Sequence, residues 1–215
     1  FSLSIHSFTE QDEDFLTGRK GNFAKKLEAV HNLVDLKKEG ALRDNVSINA
    51  VLTRLISERM VDFASFWHRQ GMDDVRYNLI RTDACPDRAE ALTPRLRDLG
   101  PEILRTVVLV RTRLRMQVSF GDIPLCTYPW EVLHSPSLVE QVVGEARDLD
   151  TRVAVFHAPK DETVDAQRFK WSEKKRHALK IQPRDPCSMC RLAAQCEGVW
   201  RSYHGLFGAG ELRSL

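Results

Sequence analysis

Residues 45–52 read NVSINAVL, and the fold turns on what this stretch is. Val46, Ile48 and Ala50 alternate with Ser47 and Asn49, the period of two that sends successive side chains to opposite faces of a strand. The same pattern recurs on both sides. Upstream, FSLSIHS at 1–7 sets Phe1, Leu3 and Ile5 against Ser2, Ser4 and His6; downstream, DDVRYNLI at 73–80 sets Val75, Tyr77 and Leu79 against Arg76 and Asn78. Between these stretches the period changes. Phe23, Leu27, Val30 and Val34 recur at helical spacing, with Asn22 as N-cap and Gly40 as stop, and Met60, Phe63, Ala64 and Trp67 share one helical face before Gly71. Three strands joined by connections too long for hairpins predict parallel βα units.

Parallel strands covered on both faces read as continuous apolar runs. Each of these strands instead keeps a polar face: Ser2, Ser4 and His6; Ser47 and Asn49; Arg76 and Asn78. One reading is an open sheet with a wet face. The other is a polar interior shared by neighbouring strands, as in a barrel or half-barrel that holds a polar ligand near the C-terminal ends of its strands. Beyond Thr82, residues 85–100 and 101–117 read as helices, the second with Pro101 just inside its start. From Gly121 the chain becomes irregular, with Pro124, Pro129 and Pro136, a helical stretch at 138–146 and a strand candidate, RVAVFHAP, at 152–159. These shifts place a domain boundary near residue 120, between a 1–120 unit and a 121–215 unit.

The 215 residues include 32 basic and 30 acidic side chains, so a net charge of +2 gives no pull toward nucleic acid or an anionic membrane. The basic run from Lys170 to Arg184 reads as a solvated linker or helix face. The longest aliphatic run, Val107–Val110, is too short to span a bilayer, and no secretory signal opens the chain; both point to a cytoplasmic protein. Phe1 begins a strand already under way, so the chain is expected to be the C-terminal part of something longer.

Five cysteines are present, and Cys187, Cys190 and Cys196 crowd into PCSMCRLAAQC at 186–196, a C-x2-C-x5-C spacing. Such clustering fits metal binding in a reducing compartment better than a disulfide framework. Zinc knuckles and iron–sulfur sites both use such triads, and a closed site needs a fourth ligand. Cys126, in the Pro-bracketed loop GDIPLCTYP at 121–129, is the preferred candidate over Cys85 in TDACP.

At this point the residues resemble a known family. LSIHS, QDEDFLTGRKGNFAKKLEAVHNL and VSINAVL together look like the second half of the barrel of radical S-adenosylmethionine (radical SAM) enzymes. The PLC stretch followed by CSMCRLAAQCEGVWRSYHGLFGAGEL is similar to that family's SPASM or twitch auxiliary-cluster extensions. The resemblance implies an α/β fold: the C-terminal half of a partial (β/α)6 barrel at 1–120, then a small irregular cysteine-rich domain at 121–215. It implies that Ser4 and Asn49 hold the ribose or amino-acid part of S-adenosyl-L-methionine, that Arg19 meets its carboxylate, and that Asp14 organises the loop. It further implies one auxiliary 4Fe-4S cluster on Cys126, Cys187, Cys190 and Cys196, since Trp200 stands where the longer family pattern has a further cysteine. The substrate, a peptide by first preference or a small molecule, would lose a hydrogen atom, with a ferredoxin or flavodoxin as electron donor. The family's C-x3-C-x2-C loop is absent from these residues, so the chain alone is expected not to cleave S-adenosylmethionine. Two other readings stand beside this one: a zinc-stabilised binding module using the same cysteines, and a metal-free α/β enzyme with incidental thiols.

Overall fold

A computed structural model describes residues 1–83, 85–144, 153–154, 168–169 and 177–215. The fold is α/β. Strands β1 (Ser2–Ser4), β2 (Ser47–Leu52), β3 (Asp74–Leu79) and β4 (Gln117–Gly121) form one parallel sheet in the order β1-β2-β3-β4. Helices α1 (Glu10–Thr17) and α2 (Asn22–Lys38) join β1 to β2, and α3 (Met60–Arg69) joins β2 to β3. Helices α4 (Ala89–Leu92) and α5 (Leu96–Leu109) precede β4.

Register turns the period-two pattern into two faces. Leu3, Ile48, Val75 and Val118 pair across the sheet in one row, and Ala50, Tyr77 and Phe120 in the next. Apart from half-buried Leu3, all of these side chains are buried. They lie in one core with Val30 and Val34 of α2, Phe63 and Trp67 of α3, and Leu99 and Ile103 of α5. Tyr77 fixes the depth of α3: its ring meets Phe63 with centroids 5.5 Å apart, and its hydroxyl donates to the Met60 carbonyl at 2.7 Å. Burial pushes the Tyr77 phenol well above its ordinary range, so it serves only as a neutral donor. The opposite rows are polar: Ser2, Ser47, Asp74 and Gln117, then Ser4, Asn49, Arg76 and Ser119.

Several boundaries differ from the sequence reading. Gln117, read as the end of a helix, instead opens a fourth strand, Gln117–Gly121, which runs across residue 120. Its entry is a π-helical turn at Val110–Leu114, closed by Arg115 in the left-handed region (φ 54°). That extra turn ends the helix where its periodicity still continues. Residues 85–100 do not form one helix, because a break at Thr93–Arg95 separates α4 from α5. Pro101 stands inside α5 rather than at its start. The ring is exposed, and Arg97, whose carbonyl loses the helical donor, lies on the solvent side. Asn22 is the first helical residue of α2, with Gly21 as its cap (φ 75°).

After β4 come α6 (Trp130–Leu133) and α7 (Pro136–Val142). The expected helix at 138–146 is helical to Val142, and its last residues lie outside the described ones. Of the strand candidate at 152–159, Val153–Ala154 forms β5, antiparallel to β6 (Arg168–Phe169); the rest, like residues 170–176 of the basic run, lies outside the described residues. Strands β7 (Lys180–Ile181) and β8 (Val199–Trp200) pair antiparallel, and a last helix follows at Arg201–Phe207. Val199, Trp200, Tyr203 and Leu212 belong to the same core as the sheet. No helix among the described residues is long and apolar enough to cross a membrane.

Candidate functional site

The β7–β8 pair is the stem of a hairpin whose long connection, 182–198, carries the cysteine triad. Pro183 opens a turn at Arg184–Cys187 that Asp185 interrupts with extended backbone (φ −104°, ψ 121°), and the Cys187 amide donates to the Pro183 carbonyl at 3.2 Å. Tight turns then set the thiols in sequence: the Cys190 amide reaches the Cys187 carbonyl at 3.1 Å, and the Cys196 amide the Leu192 carbonyl at 2.9 Å. Gln182 braces the loop from inside, donating to the Ala193 carbonyl at 2.8 Å and to that of Cys196.

Cys126 arrives from the other segment. It sits in a 3-10 turn at Leu125–Thr127, just beyond β4, and its carbonyl accepts from Arg213 Nε at 2.9 Å. Cys126, Cys187, Cys190 and Cys196 all line one cavity, together with Leu125, Leu192, Leu212 and Arg213. Cys85, ahead of the 3-10 turn at Pro86–Arg88, does not line it. Two backbone amides point at one sulfur: Leu125 N–H and Gly198 N–H donate to Cys196 Sγ at 3.5 and 3.4 Å. The first of these comes from the Cys126 segment and the second from the hairpin.

The electrostatics of the four thiols are mutual. Burial pushes the Cys126 thiol up, and nearby Cys196 and Cys190 push it further, while Arg213 opposes them. Burial also raises Cys187, with Cys196, Cys126 and Cys190 adding to it. Cys126 and Cys187 therefore resist ionisation in the presence of the other thiols. Among the described residues no group of three or more His, Cys, Asp or Glu is placed to hold a metal ion. The cavity lining holds neither His nor carboxylate, so sulfur is the only strong ligand type available there.

The polar sheet face forms a second locus. Ser4 and Asn49 are direct partners between β1 and β2, and both are exposed. Asn49 Oδ1 accepts from Asn78 Nδ2, and Asn78 Oδ1 accepts from Arg76 Nε at 2.9 Å. Gly121 lies under this group, since a Cβ there would run into Asn78 Oδ1 and Arg76 Nη2. Arg19 is exposed in the α1–α2 loop, where among the described residues its guanidinium makes no hydrogen bond or ion pair. Asp14 closes that loop by accepting from the amides of Gly21 (2.5 Å) and Phe23 (3.0 Å), and these bonds, led by Phe23, hold its carboxyl below the usual range. The structure thus brings Ser4 and Asn49 together and leaves Arg19 on a separate loop.

Sequence reasoning passed over two buried charge groups. The Glu13 side chain is fully buried, accepts from the amides of His6 and Ser7 at 2.7 Å each, and pairs with Lys26 at 2.5 Å. Lys180, 1% exposed in its side chain, pairs with Asp122 at 2.9 Å and Glu197 at 2.5 Å and lies 4.7 Å from the Trp200 ring centroid. Trp200 itself is buried and donates its indole N–H to the Leu79 carbonyl at 3.2 Å. No protein-family model matches the chain, and no curated protein matches it.

Proposed function

We propose that the chain is the cluster-bearing C-terminal portion of a radical SAM enzyme. In this reading Cys126, Cys187, Cys190 and Cys196 hold one auxiliary 4Fe-4S cluster, and the sheet is the second half of a partial barrel. The observation that carries the reading is the convergence of four thiols, from segments 61 positions apart in sequence (Cys126 to Cys187), on one cavity whose lining offers no other strong ligand. Ionising all four against one another requires a compensating cationic charge. A 4Fe-4S cluster held by four thiolates would supply that charge. The Leu125 and Gly198 amides then stabilise Cys196 as a thiolate.

On the polar face, Ser4 and Asn49 would orient the ribose or amino-acid part of S-adenosylmethionine, and Arg19 would meet its carboxylate. When bound and reductively cleaved, S-adenosylmethionine supplies a 5′-deoxyadenosyl radical that removes a hydrogen atom from the substrate. The chain's own contribution is placement. Asn78 orients the Asn49 amide by donating to its oxygen, and Asp14 fixes the loop that carries Arg19. The substrate is proposed to be a peptide or a small molecule, and the electron donor a ferredoxin or flavodoxin.

Anaerobic reconstitution tests the reading. Equimolar iron and acid-labile sulfide with broad visible absorption are expected, and Cys126→Ala should lose them while Cys85→Ala keeps them. A colourless protein that binds zinc with the same four thiols would overturn the cluster assignment in favour of a structural zinc module.

A further inference from the structure

The four thiols lie on two segments, and one buried ammonium group touches both. Lys180 is the first residue of β7 and the direct partner of Trp200 across the hairpin stem. Its Nζ reaches Glu197, the residue after Cys196, and Asp122, which leads from β4 into the loop carrying Cys126. Asp122 adopts a left-handed backbone conformation (φ 63°), unusual for a residue with a side chain. Burying one ammonium with two carboxylates costs desolvation that an apolar trio would avoid. That cost needs a compensating role at this position.

We infer that Lys180 is the positioning residue that assembles the four-thiol site, drawing the Cys126 segment and the Cys196 limb together through Asp122 and Glu197. Without the ammonium, Asp122 and Glu197 lose the cation they share, Glu197 keeps its 3.3 Å contact with His177 on its own side of the junction, and the segments separate. The Leu125 N–H bond to Cys196 Sγ spans the same junction and should be lost with it. The inference rests on the four thiols acting together as metal or cluster ligands.

The test uses the full chain, reconstituted with ferrous iron and sulfide and, in parallel, with zinc, each against a competing chelator. Lys180→Met should weaken retention by about 10- to 100-fold, the range for residues that orient ligands without binding the metal. Lys180→Arg, which keeps the charge, should restore most of it. Lys37→Met, which breaks the separate Lys37–Asp73 pair, should change nothing. In metal-free protein, amide exchange at Leu125 should accelerate in Lys180→Met while that at Tyr77 stays slow, separating local opening from failure to fold. If Lys180→Met fails to fold, Asp122→Asn and Glu197→Gln carry the test, each expected to weaken retention more than Lys37→Met. Wild type that loads and a folded Lys180→Met that holds its metal equally well would overturn this inference alone. Wild type that takes up neither cluster nor zinc would overturn the ligand reading as well.

Discussion

Replacing Gly198 with Ala should destabilise the metal-free protein by about 3–4 kcal/mol. Gly198 has φ +83°, and an added Cβ would lie 2.2 Å from the Ile181 carbonyl oxygen and 2.7 Å from its carbon. The left-handed backbone costs an L residue about 1–2 kcal/mol. The clash is separate, and its target is backbone that cannot rotate away. Relieving it moves β7 by about 1 Å from the chain leading into β8, at the Ile181–Val199 pair. Losing the two-residue ladder costs about 1 kcal/mol per hydrogen bond. Gly18→Ala is the control, because Gly18 is also left-handed (φ +65°) but an added Cβ meets nothing within 4 Å. Urea unfolding of the two variants beside wild type should give about 1–2 kcal/mol for Gly18→Ala and clearly more for Gly198→Ala, with unchanged m-values. Equal losses would refute the argument, showing that the hairpin stem yields freely.

Glu13→Ala removes the acceptor for two amides and strands Lys26; a loss of about 3–5 kcal/mol is expected in the same assay, as for other broken buried pairs. His6 gives a pH signature. Burial lowers its pKa from 6.5, with Lys26 adding and Glu13 opposing, and its Nδ1 accepts from the Val51 amide at 3.2 Å. As pH falls below 6.5 the unfolded chain takes up a proton that the folded ring resists, so stability should decline toward and through the folded pKa. His6→Gln, which still offers an acceptor to Val51, should flatten that part of the stability–pH curve.

The first three strands were legible because each has one face in the core and one polar face, the condition under which period-two alternation survives in a sequence. β4 was not. Four of its five residues, Val118, Ser119, Phe120 and Gly121, are buried, including Ser119 of the polar row, so alternation in burial is lost and the helical rhythm before it dominates. The cysteine triad announced itself by spacing, and the Pro-bracketed loop singled out Cys126, whose thiol lines the cavity with the other three. The groups joining those two segments were invisible. Lys180, Asp122 and Glu197 are scattered charges in sequence, and charged residues are ordinarily read as solvated. Glu13 was hidden in the same way, as one acid among several in the first turn of α1. Ser4 and Asn49 could be placed in one row from alternation alone, whereas Arg19 sits on a loop whose course depends on the Asp14 bonds.

The stem of the cysteine hairpin has a consequence for anyone wishing to transplant it. Trp200 hangs from the Leu79 carbonyl, Tyr203 donates to Glu211 and accepts from the Leu96 amide, and Lys180 is neutralised in part by Asp122. The Leu79, Leu96 and Asp122 partners all lie outside the hairpin, on β3, on α5 and just after β4. Grafted onto another scaffold, residues 177–215 would carry three thiols, an exposed indole and an ammonium that keeps Glu197 but loses Asp122, without the Cys126 that lines the same cavity. A truncation at residue 120 fares no better, because it cuts β4 within its ladder to β3. The thiol-bearing segment is a graft that keeps the host's roots, and the smallest portable piece includes β3, β4 and α5.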